Sequence, residues 1–216
     1  MLSANVEHYL RAIYDLSEND QPVSLSALAE ELVVSHVSAN EMVKKLTQQG
    51  WVNYKPYKGV TLTPSGATRA LAVTRRHRLW ERFLTDFLMI PWDQVHEHAC
   101  NLEHATSPLV EEHLAQFLGQ PETCPHGHPI PDTDGNIADI ATHPLSALKP
   151  GQTGVVQSVI EEPELLQYLE SLGLVPRAQV RIDAIGPFDG PMTIRIGDAQ
   201  HILGWNVASQ IQVRLN

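Results

Sequence analysis

The chain has 216 residues, 43% of them hydrophobic, and its formal net charge is −10 at pH 7. This composition is ordinary for a globular protein, which excludes a fibrous or wholly disordered chain, and the length allows one to three small domains. No apolar stretch approaches the ~18 residues of a membrane span, and the N-terminal residues lack the pattern of a signal peptide. We therefore expect a cytoplasmic protein with no membrane partner, in which Cys100 and Cys124 stay free thiols.

Charge is distributed unevenly along the chain. Residues 35–82 contain nine Lys or Arg against two Glu, a net charge of +7. Residues 83–170 contain fourteen Asp or Glu against one Lys, a net charge of −13. The basic segment is a candidate surface for phosphate groups, whereas the acidic segment fits metal binding and solubility.

The first fifty residues predict helices with one apolar face. Residues 4–18 have the pattern of an amphipathic helix, and residues 24–34 have that of a second, with Ser24 as a candidate N-cap. A third helix in residues 35–50 ends at Gly50. We expect the inward side of this third helix to carry Val37, Met42, Val43 and Leu46.

The third helix and the segment after it are the predicted DNA-reading parts of a winged helix-turn-helix. The helix begins with short polar residues, which allow a recognition helix to approach base edges in the major groove. Two short strands around Lys58 and Gly59 form a wing that can lie on the DNA backbone. The candidate DNA-binding residues are Ser35, His36, Val37, Ser38, Asn40, Glu41, Lys44, Lys45, Tyr57 and Lys58. The alternative is a helix-turn-helix that contacts another protein.

Two later stretches place metal-binding side chains on helical faces. A long helix, predicted from Pro64 to about Phe87, carries His77 and Glu81 one turn apart. In the next predicted helix, four donors follow one another at intervals of four, three and one residues, so that they share about 100° of one face. These donors are His96, Cys100, Glu103 and His104. Imidazole, thiol and carboxylate together favour a divalent transition metal over calcium or magnesium.

The rest of the chain predicts a further helix, a loop and a small β domain. Residues 108–119 form an amphipathic helix whose apolar side packs in a symmetric dimer or, alternatively, in the core of the monomer. The proline-rich stretch that follows is predicted to be a loop in which His126 and His128 are structural. Five short alternating strands within residues 153–215, with an inserted helix, predict a small closed barrel.

Four features occur together in this chain: the basic winged helix, RRHRLWERFLTDFL, VHEHACNLEHATSPLVEEHL and CPHGHPIP. In this combination the whole chain resembles the diphtheria-toxin-repressor (DtxR/MntR) family. The resemblance implies a mainly α fold with a small β domain, and a metal-dependent transcriptional regulator, expected to be a repressor, of manganese and iron homeostasis genes. Its implied partners are operator double-stranded DNA and a second copy of the chain. The implied domains are a winged helix-turn-helix in residues 1–63, a metal-binding and dimerisation domain in residues 64–141, and an SH3-like (FeoA-like) barrel in residues 142–216.

The resemblance also implies two metal sites per chain. The residues that correspond to the ancillary site are His77, Glu81 and His96, with Glu161 and Glu164 from the barrel. The residues that correspond to the primary site are His8, Cys100, Glu103 and His104. Metal at the primary site is expected to join the DNA-binding half to the dimerisation half and so to set the spacing of two recognition helices.

Position 8 departs from the family pattern and leaves the metal open. Iron-responsive members have methionine there and manganese-responsive members have aspartate, whereas this chain has His8. The manganese type also replaces the cysteine at position 100 with glutamate, and here Cys100 is kept. The expected cofactor is therefore Mn(II) or Fe(II), and zinc, cobalt, nickel or cadmium can occupy such sites in vitro.

Two other functions would use the same residues. A metalloenzyme would place them around a catalytic ion, but such a site keeps an open position and a base. Because the sequence has no HExxH, phosphate loop or nucleophile motif, we expect no enzymatic activity. A metal-independent helix-turn-helix regulator with a vestigial cluster is the other alternative.

Overall fold

The computed structural model of the chain describes residues 3–17, 21–138 and 140–215. Its contacts divide the chain into two compact units. The first unit comprises the described residues of Met1–His77, Glu103–Thr106 and Pro131–Asn136. The second unit comprises Arg78–Leu102, Ser107–Ile130 and the described residues of Ile137–Asn216. Within the described residues, none of the helices combines the length and the apolar composition that a membrane span needs.

Three helices and a hairpin form the DNA-binding part of the first unit. Helix α1 spans Ala4–Leu16, α2 spans Leu25–Glu31 and α3 spans His36–Gln48. Strands β1 (Val52–Lys55) and β2 (Gly59–Leu62) then pair in antiparallel register. This order of elements confirms the predicted winged helix-turn-helix.

Side-chain caps fix the starts of α2 and α3. The Ser24 hydroxyl accepts a hydrogen bond from the Ala27 amide at 3.0 Å, and the Ser35 hydroxyl accepts one from the Ser38 amide at 3.1 Å. Each cap satisfies an amide that has no partner inside its helix. The three helices and the wing then share one apolar core. Its fully buried members include Leu10, Ile13, Leu28, Val43, Leu46 and Val60.

The prediction that Val37 lies inside is wrong. Its side chain is 68% exposed, whereas Val43 and Leu46 of the same helix are fully buried. Leu46 follows Val37 by nine residues, which places the two on opposite sides of an α-helix. Val37 therefore belongs to the outer face of the recognition helix, where it is available to DNA.

The middle of the chain is helical. Helix α4 spans Pro64–Asp86, as predicted, and is followed by α5 (Val95–Glu103) and α6 (Pro108–Phe117). Because α5 ends at Glu103, His104 lies in a turn and not on the predicted helix face. The second unit buries small apolar clusters around α4, α5 and α6.

A six-stranded antiparallel sheet forms the C-terminal part of the second unit. Its strands are β3 (His143–Pro144), β4 (Thr153–Val159), β5 (Gln179–Ile185), β6 (Met192–Ile196), β7 (Ala199–Leu203) and β8 (Ile211–Leu215). The strand order is β3-β8-β4-β5-β6-β7, so that β3 and β7 stand at opposite ends. In the described part of the chain these end strands do not pair, and the predicted closure of the barrel by hydrogen bonds is not formed.

Three short elements complete the β domain. Helix α7 (Pro163–Leu172) is inserted between β4 and β5, as predicted. The sequence did not indicate α8 (Trp205–Ala208) or the 3-10 turn at Leu145–Ala147. One apolar core joins the sheet to α7 and includes the indole of Trp92.

Candidate metal and DNA-binding sites

The recognition helix α3 and the wing line a groove of about 620 Å³. The groove is lined by His36, Val37 and Asn40 from the helix and by Tyr57 and Lys58 from the wing. Tyr57 is fully exposed at the tip of the hairpin, where its backbone takes a positive φ of 63°. An exposed valine suits the methyl group of thymine, while a tyrosine and a lysine on a wing suit the DNA backbone.

The ten predicted DNA-binding residues lie on α3, at its N-cap or in the turn of the wing, and all except Asn40 are exposed. Three of them already have side-chain partners. The hydroxyls of Ser35 and Ser38 are 2.9 Å apart, and His36 Nε2 lies 3.0 Å from the Ser26 hydroxyl. Both serines therefore stabilise the start of the recognition helix.

Within the first unit, three predicted ligands come together in what we call the first cluster: His8, Glu103 and His104. One ligand atom from each lies within 4.8 Å of the others. Glu103 is fully buried, and its Oε1 is 3.2 Å from His104 Nε2 and 3.9 Å from His8 Nε2. Among the described residues, neither Glu103 Oε1 nor His104 Nε2 has a hydrogen-bond partner. Because buried polar atoms without partners are costly, this arrangement fits a bound cation.

Charged side chains of the first unit surround the first cluster. His77 Nδ1 donates to Glu103 Oε2 at 2.6 Å, and the Arg11 guanidinium lies 3.7 Å from Glu103 Oε1. His104 Nδ1 donates to Glu7 Oε2 at 2.7 Å. Each oxygen of the Glu103 carboxylate thus faces a nitrogen of a basic side chain, and the imidazole of His104 is held from its far side.

Within the second unit, four side chains form what we call the second cluster: Glu81, Cys124, His126 and Glu161. Glu81, Cys124 and His126 are almost completely buried. His126 Nδ1 lies 3.5 Å from a carboxylate oxygen of Glu81, 3.5 Å from one of Glu161 and 3.9 Å from Cys124 Sγ. Helix α4 supplies Glu81, the loop before β3 supplies Cys124 and His126, and the segment between β4 and α7 supplies Glu161.

The electrostatics of the second cluster favour a positive charge. His126 Nε2 must carry a hydrogen, because it bonds to the Trp92 carbonyl oxygen at 2.8 Å and a carbonyl can only accept. Nδ1 is therefore the atom that faces Glu81 and Glu161. Burial lowers the pKa of His126, but hydrogen bonds to Cys124, Glu161 and Glu81 outweigh it and raise that pKa. A cation bound between the two carboxylates would supply the same charge.

Three more predicted ligands belong to the second unit, and they are placed differently. His96 lies beside the second cluster, with Nδ1 2.9 Å from Glu161 Oε2 and 3.8 Å from Glu81 Oε1. A ligand atom of Cys100 lies within 4.8 Å of one of His96. Glu164 is exposed in the first turn of α7 and is not part of either cluster of described residues.

Cys124 and His126 were not predicted as metal ligands, because the composition of their loop is typical of turns. Their position depends on Gly127, which has a φ of 89° and lies against β4. A Cβ at this residue would lie only 1.8 Å from the Gln157 carbonyl oxygen. The Cys-x-His spacing beside a predicted metal helix was the available signal. His128, in contrast, donates to the Val159 carbonyl oxygen at 3.0 Å, as a structural histidine would.

Three family models match successive parts of the chain. Residues 1–60 match the model described as "Iron dependent repressor, N-terminal DNA binding domain". Residues 63–132 match "Iron dependent repressor, metal binding and dimerisation domain", and residues 143–215 match "FeoA domain".

Curated relatives are similar over most of their length. The chain is 33% identical over 190 residues to the iron-dependent repressor IdeR of Mycobacterium leprae, which covers 82% of this chain and 83% of the relative. It is 33% identical to the diphtheria toxin repressor of Corynebacterium glutamicum, over 82% of this chain and 79% of the relative.

Solved structures are similar over the whole chain. A manganese-dependent transcriptional repressor in complex with manganese has a TM-score of 0.90 and 36% identity, covering 98% of this chain and 100% of that one. The manganese regulator SloR has a TM-score of 0.83 and 34% identity, and each chain is covered completely.

Proposed function

The chain belongs to the DtxR/IdeR family of metal-dependent repressors, and from this premise we propose how its own residues couple a metal ion to DNA. It is a DNA-binding transcriptional repressor of the iron and manganese family, it acts on operator DNA as a homodimer, and it is not an enzyme. Our proposal assigns residues 1–63 to DNA binding, 64–141 to metal binding and dimerisation, and 142–216 to the FeoA-like domain. It also places the protein in the cytoplasm.

One observation carries the proposed coupling: the first cluster draws ligands from two separate parts of the first unit. His8 lies on α1, which packs in the core of the winged helix-turn-helix, whereas Glu103 and His104 lie at the end of α5 and in the turn after it. We propose that these three side chains hold a divalent ion. The ion would cross-link α1 to the turn and so favour one arrangement of the DNA-binding part.

The bound ion can raise DNA affinity only if the ion binds the DNA-binding arrangement of the protein more tightly than the other arrangement. A coupling free energy of about 1–3 kcal/mol would raise operator affinity roughly 5- to 150-fold. The chain itself supplies the positioning: the carboxylate of Glu103 is fixed by His77, and the imidazole of His104 is fixed by Glu7. Cys100 stays a proposed metal ligand, as the family resemblance implies.

The second cluster is the proposed ancillary site, with a ligand set that the sequence did not give in full. We assign Glu81, Cys124, His126 and Glu161 to it, with His96 alongside. Because these residues belong to α4, to the loop before β3 and to the segment before α7, an ion here would stabilise the second unit. His77 stays a proposed metal ligand, as the family resemblance implies.

The metal is proposed to be Mn(II) or Fe(II), with two sites per chain. The curated relative IdeR is named for iron, whereas several similar structures are named for manganese. One related structure holds cadmium and another holds zinc. In this chain the first cluster offers only nitrogen and oxygen donors, which suit manganese and iron, and the second cluster adds the Cys124 thiol, which also suits softer ions.

The homodimer requires an apolar surface, and the second unit has one on α6 and at Phe87, just after the end of α4. Phe87, Leu109, Val110 and Phe117 are exposed there, and the rings of Phe87 and Phe117 are 4.7 Å apart. We propose that this surface packs against its copy. An isologous contact of this kind would present two recognition helices to the two half-sites of an operator.

The test is operator binding by the full chain, measured by fluorescence anisotropy without metal, with Mn(II), with Fe(II) under anaerobic conditions and with a chelator. We expect weak binding without metal, a roughly 5- to 150-fold gain with metal and reversal by chelator. Equal binding under all four conditions would favour a metal-independent regulator and would contradict the proposed coupling.

A further inference from the structure

We infer that Glu7 is a positioning residue for the first cluster: its carboxylate fixes the imidazole of His104 in the form that can bind a metal. The inference rests on the proposed function of that cluster and adds a residue to it. Glu7 precedes the ligand His8 and does not belong to the group of potential ligands His8, Glu103 and His104.

The direction of Glu7 follows from helix geometry. Successive residues on an α-helix point about 100° apart, so Glu7 and His8 cannot face the same point from α1. Accordingly, His8 Nε2 faces Glu103 at 3.9 Å, whereas Glu7 Oε2 meets the opposite edge of His104, at Nδ1, at 2.7 Å. The side chains of Glu7 and His104 are only 10% and 14% exposed, which limits competition from water.

The hydrogen bond selects one tautomer of His104. An ionised carboxylate can only accept, so the hydrogen must be on Nδ1 and the lone pair of the neutral ring must be on Nε2. Nε2 is the atom that lies 3.2 Å from Glu103 Oε1, and among the described residues it has no hydrogen-bond partner. Glu7 therefore presents the ligand-competent nitrogen of His104 to the centre of the first cluster. Metal-binding histidines are commonly held by a carboxylate in this way.

A second side chain fixes the carboxylate itself. Arg76 donates from a terminal guanidinium nitrogen to Glu7 Oε1 at 3.1 Å, and from Nε to the Glu103 backbone carbonyl oxygen at 2.9 Å. One guanidinium thus joins Glu7 to the residue that precedes His104. Because each oxygen of Glu7 has its own partner, the carboxylate has little freedom to rotate away.

Two substitutions of Glu7 separate this role from simple stabilisation. Glu7→Ala removes the acceptor, while Glu7→Gln keeps the shape but brings an amide NH₂ group to either Arg76 or His104. Glu30→Ala is the matched control, because Glu30 is an exposed glutamate on α2. All variants are made in the full chain with Glu161→Gln, so that Mn(II) binding reports on the first cluster.

Two measurements are made on each variant. Mn(II) affinity is measured by electron paramagnetic resonance of the free ion, and the His104 tautomer is read from long-range ¹H–¹⁵N spectra of the metal-free protein. We expect Glu7→Ala to lower Mn(II) affinity by roughly 10- to 100-fold and Glu7→Gln to lower it less. In both Glu7 variants we expect His104 to populate the Nε2–H tautomer. We expect Glu30→Ala to change neither the Mn(II) affinity nor the His104 tautomer. At saturating Mn(II), operator affinity should return to the value of the Glu161→Gln parent.

The inference is overturned if the Glu7 variants bind Mn(II) as the parent does, or if affinity falls while His104 keeps its Nδ1–H form. Should Glu7→Ala fail to fold, Glu7→Gln is judged by the same two readings. Absence of Mn(II) binding in the parent would instead refute the proposed function of the first cluster. In that case the tautomer reading alone decides whether Glu7 controls His104.

Discussion

The two proposed metal sites differ in the residues that form them. The first takes imidazoles and a carboxylate from α1, from the end of α5 and from the turn after it, and His8 remains partly exposed. The second adds a thiol, combines residues that are distant in the sequence, and buries three of its four members almost completely. A partly open site with nitrogen and oxygen donors suits reversible sensing, whereas a buried site with a thiolate suits tight binding.

The two clusters also differ in the unit that contains them and in the hydrogen-bond partners of their ligand atoms. The first cluster lies in the unit that contains the recognition helix, and its key atoms Glu103 Oε1 and His104 Nε2 have no hydrogen-bond partner among the described residues. The second lies in the unit that contains the FeoA-like sheet, where His126 is already held between two carboxylates and the Trp92 carbonyl. We therefore propose that metal at the first cluster regulates DNA binding and that metal at the second supports the fold.

Removal of Glu103 should have the largest effect. Glu103→Ala takes away the carboxylate shared by the ligands of the first cluster, and we expect metal-stimulated operator binding to disappear. Glu97→Ala is the control, because Glu97 is exposed on the same helix. Anisotropy titrations with Mn(II) measure the effect, and thermal unfolding shows whether the variant is folded. A normal metal response in folded Glu103→Ala would show that the primary site has been misassigned.

Removal of the Cys124 thiol should change metal preference more than DNA binding. Cys124→Ser replaces a soft donor with a hard one, and we expect Co(II) affinity at the second cluster to fall by about tenfold or more, with a smaller change for Mn(II). The thiolate-to-Co(II) absorption band measures the loss. Cys100→Ser is the matched variant. If the absorption band is lost in Cys100→Ser but kept in Cys124→Ser, Cys124 is not a ligand of the second cluster.

The second cluster should also bind metal more tightly as pH rises. Burial lowers the pKa of His96, but hydrogen bonds to Cys100, Glu161 and Glu81 outweigh it and raise that pKa to about 12. The imidazole of His96 in the metal-free protein is therefore protonated at neutral pH, and a metal ion that binds His96 must displace that proton. Affinity should rise about tenfold per pH unit for each proton displaced, between about pH 6 and 8. Calorimetry in buffers of different ionisation enthalpy measures the protons released, and no release would contradict this prediction.

The smallest effect should come from the wing. Lys58→Ala removes one exposed cation from the groove, so operator affinity should fall a few-fold and the salt slope should decrease by about one. Because Lys58 belongs to neither cluster, the Mn(II) concentration at half-maximal response should stay unchanged. A shifted midpoint would mean that the wing, too, takes part in metal coupling.

Local sequence signals predicted the helices of the N-terminal half well. Ser24 caps its helix as expected, and α4 begins at Pro64 and ends within one residue of the predicted position. These features depend on short-range geometry, which the sequence contains. Val37 shows the limit of such local signals. An apolar residue on a recognition helix can face either the core or the DNA groove, and its identity alone does not tell which.

The candidate metal ligands were predicted less completely, because some are brought together by contacts between distant parts of the chain. His8, Glu103 and His104 were found through the family resemblance, and they do come together. Cys124 and His126 were missed, because their place is set by the close approach of Gly127 to Gln157 on β4, about thirty residues later in the chain. Helix periodicity also placed His104 on α5, whereas the helix ends one residue earlier.

The most direct test of this division of roles compares one variant of each cluster. Operator affinity is measured against Mn(II) concentration for His8→Ala, for Glu161→Gln and for the unmodified chain. We expect His8→Ala to lose most of the metal response, while Glu161→Gln keeps the full response and is less stable to heat in the presence of metal. If Glu161→Gln loses the response and His8→Ala keeps it, the second cluster is the sensor, which contradicts the proposed roles.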